Sequence, residues 1–139
     1  MSANGTQKPD FSGEWILNRE ASTLSPGADG VRSATWHIDH REPTFRHKAS
    51  FETASDPIQW EYELRSDAVA AADLEEATSS RLSWDGDVLV VDMRVRHAGG
   101  EMTIVFRHEL LDGGRRLRAA EQLRGTDHDQ DNVWVFDRR

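Results

Sequence analysis

The chain has 139 residues, of which 37% are hydrophobic and 30% are charged. This length favours a single domain, because chains usually divide only beyond about 250 residues. No apolar run approaches the roughly 18 residues that a membrane-spanning helix needs. The sequence contains no cysteine, which excludes disulfides, thiolate nucleophiles and cysteine metal sites. The net charge of -8 argues against duplex nucleic acid and anionic lipid as the main partners.

The first ten residues are polar and contain no apolar segment. We expect residues 1–10 to form a disordered tail and residues 11–139 to form the domain. No secretory signal is visible in this tail, so we also expect a cytoplasmic location.

From residue 11 onward, apolar and polar residues alternate with period two, which is typical of half-buried β-strands. The pattern predicts nine strands, at residues 11–17, 31–41, 44–53, 57–66, 78–84, 87–97, 101–111, 115–125 and 131–138. Short turns separate most of them, and Asp85-Gly86 is the clearest two-residue hairpin signal. Short connections between successive strands predict an antiparallel up-and-down meander. A meander of this many strands can hide its edges by closing into a barrel of eight to ten strands.

Two segments interrupt the alternation. Residues 18–30 are rich in Ser, Pro, Gly and Asp and are predicted to form a long loop. Residues 67–77 are rich in Ala and Glu and follow Ser66, which is a suitable N-cap, so they are the one predicted short helix. Two interpretations stay open for this helix: a lid across the barrel mouth or an exposed linker.

The more apolar face of each strand is taken as the inward face. In the last strand the choice is open between the set Asn132, Trp134 and Phe136 and the pair Val133 and Val135. The inward faces also carry titratable side chains, namely His40, His47, His97, His108, Glu121 and Tyr62. A buried carboxylate is costly unless it is paired, and a histidine is its obvious partner. This cluster is therefore the predicted functional site.

An imidazole and a carboxylate in a water-poor cavity are suited to proton transfer. We predict an enzyme without a cofactor, a lyase, dehydratase or isomerase, in which His47, His108 and Glu121 supply the acid and base. Tyr62 would orient or polarise a substrate oxygen. The predicted substrate-binding residues are Trp36, Phe45, Phe51, Trp60, Met93, Phe106, His97, His40 and Trp134. Their aromatic rings favour a small hydrophobic or aromatic molecule as the partner.

Several alternatives stay open at this point. The same cavity would suit a non-catalytic carrier of a hydrophobic ligand, or a haem or metal bound by an inward histidine. No recognisable ligand spacing is present, so no metal and no cofactor is predicted. His47, His108 and Glu121 would also suit a purely structural hydrogen-bond network, and His40 and His97 would suit the solvated barrel rim. We expect neither nucleic acid nor membrane as a partner, whereas an exposed strand face would permit a homodimer.

The segment 11–15, Phe-Ser-Gly-Glu-Trp, resembles the Gly-x-Trp signature of lipocalins. Residues 84–91 and 135–138 are similar to the middle and closing motifs of bacterial lipocalin-like, calycin-type domains. The resemblance implies a lipocalin-like barrel in which Trp15 plugs the closed end and either Arg138 or Arg124 packs across its ring. The calycin group includes carriers, haem binders and a few enzymes, so the resemblance leaves the function open.

Overall fold

The computed structural model describes residues 8–26, 28, 30–67, 71–73, 78–97, 100–125 and 129–139. These residues form ten strands: β1 (Gly13–Leu17), β2 (Val31–Arg41), β3 (Thr44–Thr53), β4 (Ile58–Arg65), β5 (Ala71–Asp73), β6 (Thr78–Asp85), β7 (Val88–His97), β8 (Gly100–Leu111), β9 (Arg116–Arg124) and β10 (Asp129–Arg138). The predicted all-β meander is confirmed, and all nine predicted strands are present with ends that shift by at most two residues. No helix in the described part of the chain has the length and hydropathy that crossing a bilayer requires.

The strands form one antiparallel sheet in the order β4-β3-β2-β1-β10-β9-β8-β7-β6-β5. The short strand β1 pairs with both β2 and β10, so Trp15 lies between Trp36 and Arg138 in the register. The sheet curls until β4 lies against β6. The barrel is therefore nearly closed, with one seam between the two strands that end the sheet order, β4 and β5.

The predicted helix over residues 67–77 is wrong where the structure describes this segment. Ala71–Asp73 forms strand β5, in which Ala71 pairs with Ser80 and Asp73 with Thr78 of β6. Helix propensity is a weak preference, and pairing with an adjacent strand overrides it here. Residues 68–70 and 74–77 lie outside the described residues, so the lid interpretation stays untested there.

The β6–β7 hairpin turns one residue later than predicted. Asp85 pairs with Val88, so the two loop residues are Gly86 and Asp87. Gly86 has a φ of 63°. Positive φ at the first loop position is the requirement of a type II′ turn, and glycine meets it without strain.

The inward faces predicted for the central strands carry most of the core. In β2 and β3 the buried residues are Val31, Ala34, Trp36, Ile38, His40, Phe45, His47, Ala49 and Phe51. The choice left open for the last strand is resolved, because Asn132, Trp134 and Phe136 are buried and face the interior. Val135 is buried too, and its backbone carbonyl accepts the N–H of Asn18, the residue directly after β1, at 2.7 Å.

Candidate functional site

The barrel interior has two ends with different packing. The packed end consists of Phe11, Trp15, His40, Phe45, Leu89, His108, Leu117 and Phe136, all of which are buried. The open end surrounds a cavity of about 290 Å³. Trp60 and Ile58 of β4 belong to the open end, and their side chains are 38% and 51% exposed.

Trp15 plugs the packed end. Its side chain is fully buried, and its indole Nε1 donates to the Phe11 carbonyl at 3.0 Å. The Arg138 guanidinium lies over the indole ring, 4.2 Å from the centroid, and donates to the Ser12 carbonyl at 2.7 Å. The expected cation–π contact is therefore made by Arg138, whereas Arg124 pairs with Asp131 at 2.8 Å. Gly13 has a φ of 138°, and a Cβ at this position would meet the Arg138 guanidinium.

His40 ties the segment before β1 to the barrel. Its Nδ1 accepts the Phe11 N–H at 3.2 Å, and its Nε2 lies 2.6 Å from a carboxylate oxygen of Glu42. A ring nitrogen that accepts an N–H carries no proton, so the Nε2–H donates to Glu42. His40 is thus buried and does not lie in solvent at the barrel rim.

Glu42 is the centre of a hydrogen-bond network that crosses the seam. One of its carboxylate oxygens accepts from Trp84 Nε1 on β6 at 2.8 Å and from Ser66, directly after β4, at 3.1 Å. The other faces His40. Partial burial alone would raise the pKa of Glu42, but the hydrogen bonds from Trp84, His40 and Ser66 lower it.

His108 of the packed end and His47 are neighbours, and each is 1% exposed. Their ring centroids are 6.3 Å apart, and His47 stacks on Tyr62 at 5.2 Å. Burial, with a contribution from His40, lowers the pKa of His108 to about 4, although a hydrogen bond to the Leu89 carbonyl opposes the shift. Burial and His108 lower the pKa of His47 well below its ordinary value. Both imidazoles are therefore neutral at pH 7.

His47 has an unusual environment for a histidine. Neither of its ring nitrogens has a hydrogen-bond partner in the described part of the chain. The Trp36 ring centroid is only 4.4 Å away, and the Trp36 indole nitrogen is also buried without a partner there. Burial raises the pKa of the neighbouring Tyr62, which keeps its phenol protonated.

The walls of the cavity are mainly aromatic. Five rings line it, those of Trp36, Phe51, Trp60, Phe106 and Trp134. Phe51 meets Trp60 at 79° and Trp134 at 64°, with centroids 5.2 and 5.7 Å apart. Phe106 meets Trp60 at 83° and Trp36 at 77°, both at 6.3 Å. Adjacent rings therefore meet edge to face, at interplanar angles of 64° to 83°.

Three polar side chains, Glu121, Gln130 and Asn132, complete the lining together with four aliphatic ones. One carboxylate oxygen of Glu121, Oε1, accepts from Asn132 Nδ2 at 3.0 Å and from Trp134 Nε1 at 2.9 Å. The Asn132 amide oxygen accepts the Ser25 N–H at 2.7 Å, which directs the amide nitrogen toward Glu121. The loop between β1 and β2 therefore helps to fix the carboxylate in the cavity wall.

The structure places some of the predicted site residues around the cavity and others in the buried core. Trp36, Phe51, Trp60, Phe106, Glu121 and Trp134 line the cavity. The ring contacts of His47, His108, Tyr62, Phe45 and His40 are with neighbouring aromatic side chains, among them the cavity-lining Trp36, Trp60 and Phe106, and Met93 packs against the core. The side chain of His97 lies outside the described part. No described contact joins Glu121 to a histidine, so the predicted His–Glu cluster is not assembled as one group.

The cavity also includes residues that the sequence reasoning missed, namely Gln130, Asn132, Ala28, Val31, Ile58 and Leu123. Asn132 shares its strand face with Trp134, which is a signal that could have identified it. Among the described residues, no group of three or more His, Asp or Glu side chains is placed to hold a metal ion.

Comparison with known proteins finds no matching family model and no matching curated sequence. Solved structures do resemble this fold over almost its whole length. One is the REP1-NXSQ fatty acid transporter, which is 13% identical, with 94% of this chain and 96% of that chain covered and a TM-score of 0.57.

Two further structures are similar. The fluorescent protein UnaG is 18% identical, with 93% of this chain and 97% of that chain covered and a TM-score of 0.58. A secretary abundant heat soluble (SAHS) protein from Ramazzottius varieornatus is 10% identical, with 97% and 98% covered and a TM-score of 0.61. At these identities the likeness establishes a shared barrel fold.

Proposed function

We propose that the protein is a ligand-binding barrel that carries a small hydrophobic molecule and does not transform it. The observation that carries this proposal is the cavity of about 290 Å³ with five aromatic side chains in its wall. Its volume lies at the lower end of the range for small-molecule sites, about 300–1,000 Å³. A fatty acid transporter among the similar structures supports a binding role for this barrel shape.

The geometry gives less support to the predicted acid–base enzyme. A general base has to reach the proton it removes within hydrogen-bond distance. His47 and His108 are 1% exposed and are not among the residues that line the cavity. Glu121 does line the cavity, but its described hydrogen bonds are with Asn132 and Trp134. These contacts suit a binding wall better than a proton-transfer pair.

The remaining expectations stay proposals. The stacking of Arg138 on Trp15 supports placing the chain with lipocalin-like domains that have a Gly-x-Trp motif. We keep the proposals of a single domain over residues 11–139, of a cytoplasmic location and of a homodimer. Size-exclusion chromatography with light scattering would test the last of these.

The binding proposal can be tested by tryptophan fluorescence, because three of the five tryptophans line the cavity. We expect 1-naphthylmethanol to quench the fluorescence saturably, and native mass spectrometry to detect a 1:1 complex. Trp60→Ala removes one wall and should weaken binding about tenfold. Trp84→Ala is the matched control, because this indole packs against Phe11 and His40 outside the cavity. Its affinity should stay within about twofold of wild type.

Absence of saturable quenching and of any complex with a panel of aromatic and aliphatic ligands would overturn the proposal. Equal weakening of binding by the two substitutions would place the ligand elsewhere and would also overturn it.

A further inference from the structure

We propose that the cavity recognises an organic cation, whose apolar body lies against the aromatic walls while its positive charge faces Glu121. This inference rests on the proposed binding function and specifies its ligand class. It follows from the charge of the cavity, the arrangement of its rings and the way the carboxylate is held.

The cavity has an acidic polar lining. Glu121 is the one charged side chain among its described lining residues, and the two other polar ones, Gln130 and Asn132, are neutral amides. No described Lys or Arg lines the cavity. An anionic ligand would place its charge next to Glu121 without a cation to compensate, whereas a cationic ligand would be paired there. The net charge of -8 also attracts cations toward the protein.

The aromatic side chains that line the cavity also favour a positively charged ligand. Three of the five lining rings are indoles, which attract cations more strongly than the other aromatic side chains do. Neighbouring rings of this wall meet at 77° to 83° and are not stacked on one another. Recognition of ammonium groups by such sets of ring faces is a known use of cation–π attraction.

The carboxylate is held in place before a ligand arrives. Both donors, Asn132 and Trp134, bind the Oε1 atom of Glu121. Among the described residues none donates to the other oxygen, Oε2. Because Asn132 is itself fixed by the Ser25 N–H, the hydrogen bonds to Oε1 orient the Glu121 carboxylate. Such preorganisation reduces the entropy lost on binding.

This ligand class is opposite in charge to the cargo named for one structure of the same fold, the REP1-NXSQ fatty acid transporter. A shared barrel does not impose a shared ligand, because recognition depends on the side chains of the cavity. Here those side chains include an acid and no described base.

The test uses four probes with the same ring system, measured by tryptophan quenching and calorimetry on the full chain at pH 7 and low ionic strength. They are 1-naphthylmethylammonium, its N,N,N-trimethyl derivative, 1-naphthylmethanol and 1-naphthylacetate. We expect both cations to bind about tenfold more tightly than the alcohol, and the acetate to bind most weakly. The trimethyl derivative has no N–H and cannot donate a hydrogen bond from its cationic group. Tighter binding of this derivative than of the alcohol would therefore measure the contribution of charge and aromatic rings alone.

Glu121→Gln keeps the shape of the side chain and removes its charge. It should lower the affinity for the two cations about tenfold and leave that for the alcohol within about twofold. The control is Glu61→Gln, because Glu61 is exposed on the outer face of β4 and its loss changes the net charge equally. This variant should keep the cation preference of the wild type.

Binding of all four probes with no cation preference, or a preference that Glu121→Gln leaves intact, would overturn this inference and leave the binding function standing. Failure of all four probes to bind would also overturn this inference, and the panel of aromatic and aliphatic ligands would then decide the binding function separately.

Discussion

The packed end and the open end are built from the same strands but differ in what fills the space between them. At the packed end, Trp15, Phe11 and Phe136 are fully buried, and the Arg138 guanidinium covers the Trp15 ring. At the open end, large rings surround a cavity, and Trp60 is 38% exposed. Aromatic residues thus form the core at one end and the wall of a cavity at the other.

The seam between β4 and β5 contributes to this difference. At the packed end the Glu42 network spans it, joining Trp84 of β6 to Ser66 after β4. At the open end, β4 presents Ile58 and Trp60 to solvent. One end of the barrel is therefore closed by side-chain hydrogen bonds, and the other is open to solvent.

The largest expected effect compares one tryptophan from each end. Trp15→Ala should lower the free energy of unfolding by about 3–5 kcal/mol, because it empties a fully buried site and removes the partner of Arg138. Trp60→Ala should cost about 1 kcal/mol, because that indole is partly exposed and borders empty space. Urea unfolding of both variants measures the difference. Equal costs would show that the two ends do not differ in packing.

Lowering the pH should reduce the free energy of unfolding, because the buried histidines are neutral in the folded protein. The pKa of His108 is about 4 in the folded protein against an ordinary value of 6.5. Between these values the unfolded chain binds the proton and the folded one does not, so stability is lost as the pH falls from 6.5 to 4. The expected loss from His108 is about 3 kcal/mol.

Unfolding by urea at a series of pH values measures this loss, and His108→Leu should flatten the profile across the same window. Carboxylates with lowered pKa, such as Asp137, titrate alike in both proteins, so the difference between the profiles reports His108 together with its effect on the pKa of His47. If the variant lost as much stability as wild type across this window, the assignment of a neutral buried His108 would be wrong.

The smallest effect concerns the seam. In Glu42→Gln an NH₂ group, which cannot accept a hydrogen bond, replaces one of the two carboxylate oxygens. Either His40, or Trp84 and Ser66 together, therefore lose their acceptor. Because Glu42 is partly exposed, we expect a cost of about 1 kcal/mol in urea unfolding. The matched control is Glu63→Gln, which removes an exposed ion pair with Arg46 and should cost less than about 0.5 kcal/mol. Equal costs would argue against a network that closes the seam.

The strands were predictable because alternation and turn residues are local signals. The pattern of Ala34, Trp36, Ile38 and His40 identified a buried face directly, and the structure buries all four. The helix expected over residues 67–77 failed at Ala71–Asp73, where pairing with β6 outweighs the helix propensity of alanine. The helix propensity of a segment does not depend on which strand the fold places next to it, so it could not predict the pairing with β6.

The candidate site was only partly predictable for a similar reason. Alternation placed both Glu121 and His108 on inward faces, but it does not say how far apart two inward side chains lie along the barrel. Glu121 pairs in register with Phe106, and His108 with Ala119, so the carboxylate meets Asn132 and Trp134 instead of an imidazole. Ser25, which orients Asn132, belongs to a loop whose position no periodicity reveals.

The sequence by itself determined the meander and the inward faces of most strands, because these follow from period-two alternation and turn chemistry. The lipocalin resemblance implied an arginine over Trp15 without choosing between Arg138 and Arg124, and the structure has Arg138 there. Only the tertiary structure decided which inward residues are packed and which border a cavity. That division depends on the curl of the sheet and on the seam between its edge strands, and both arise from contacts between residues far apart in the chain.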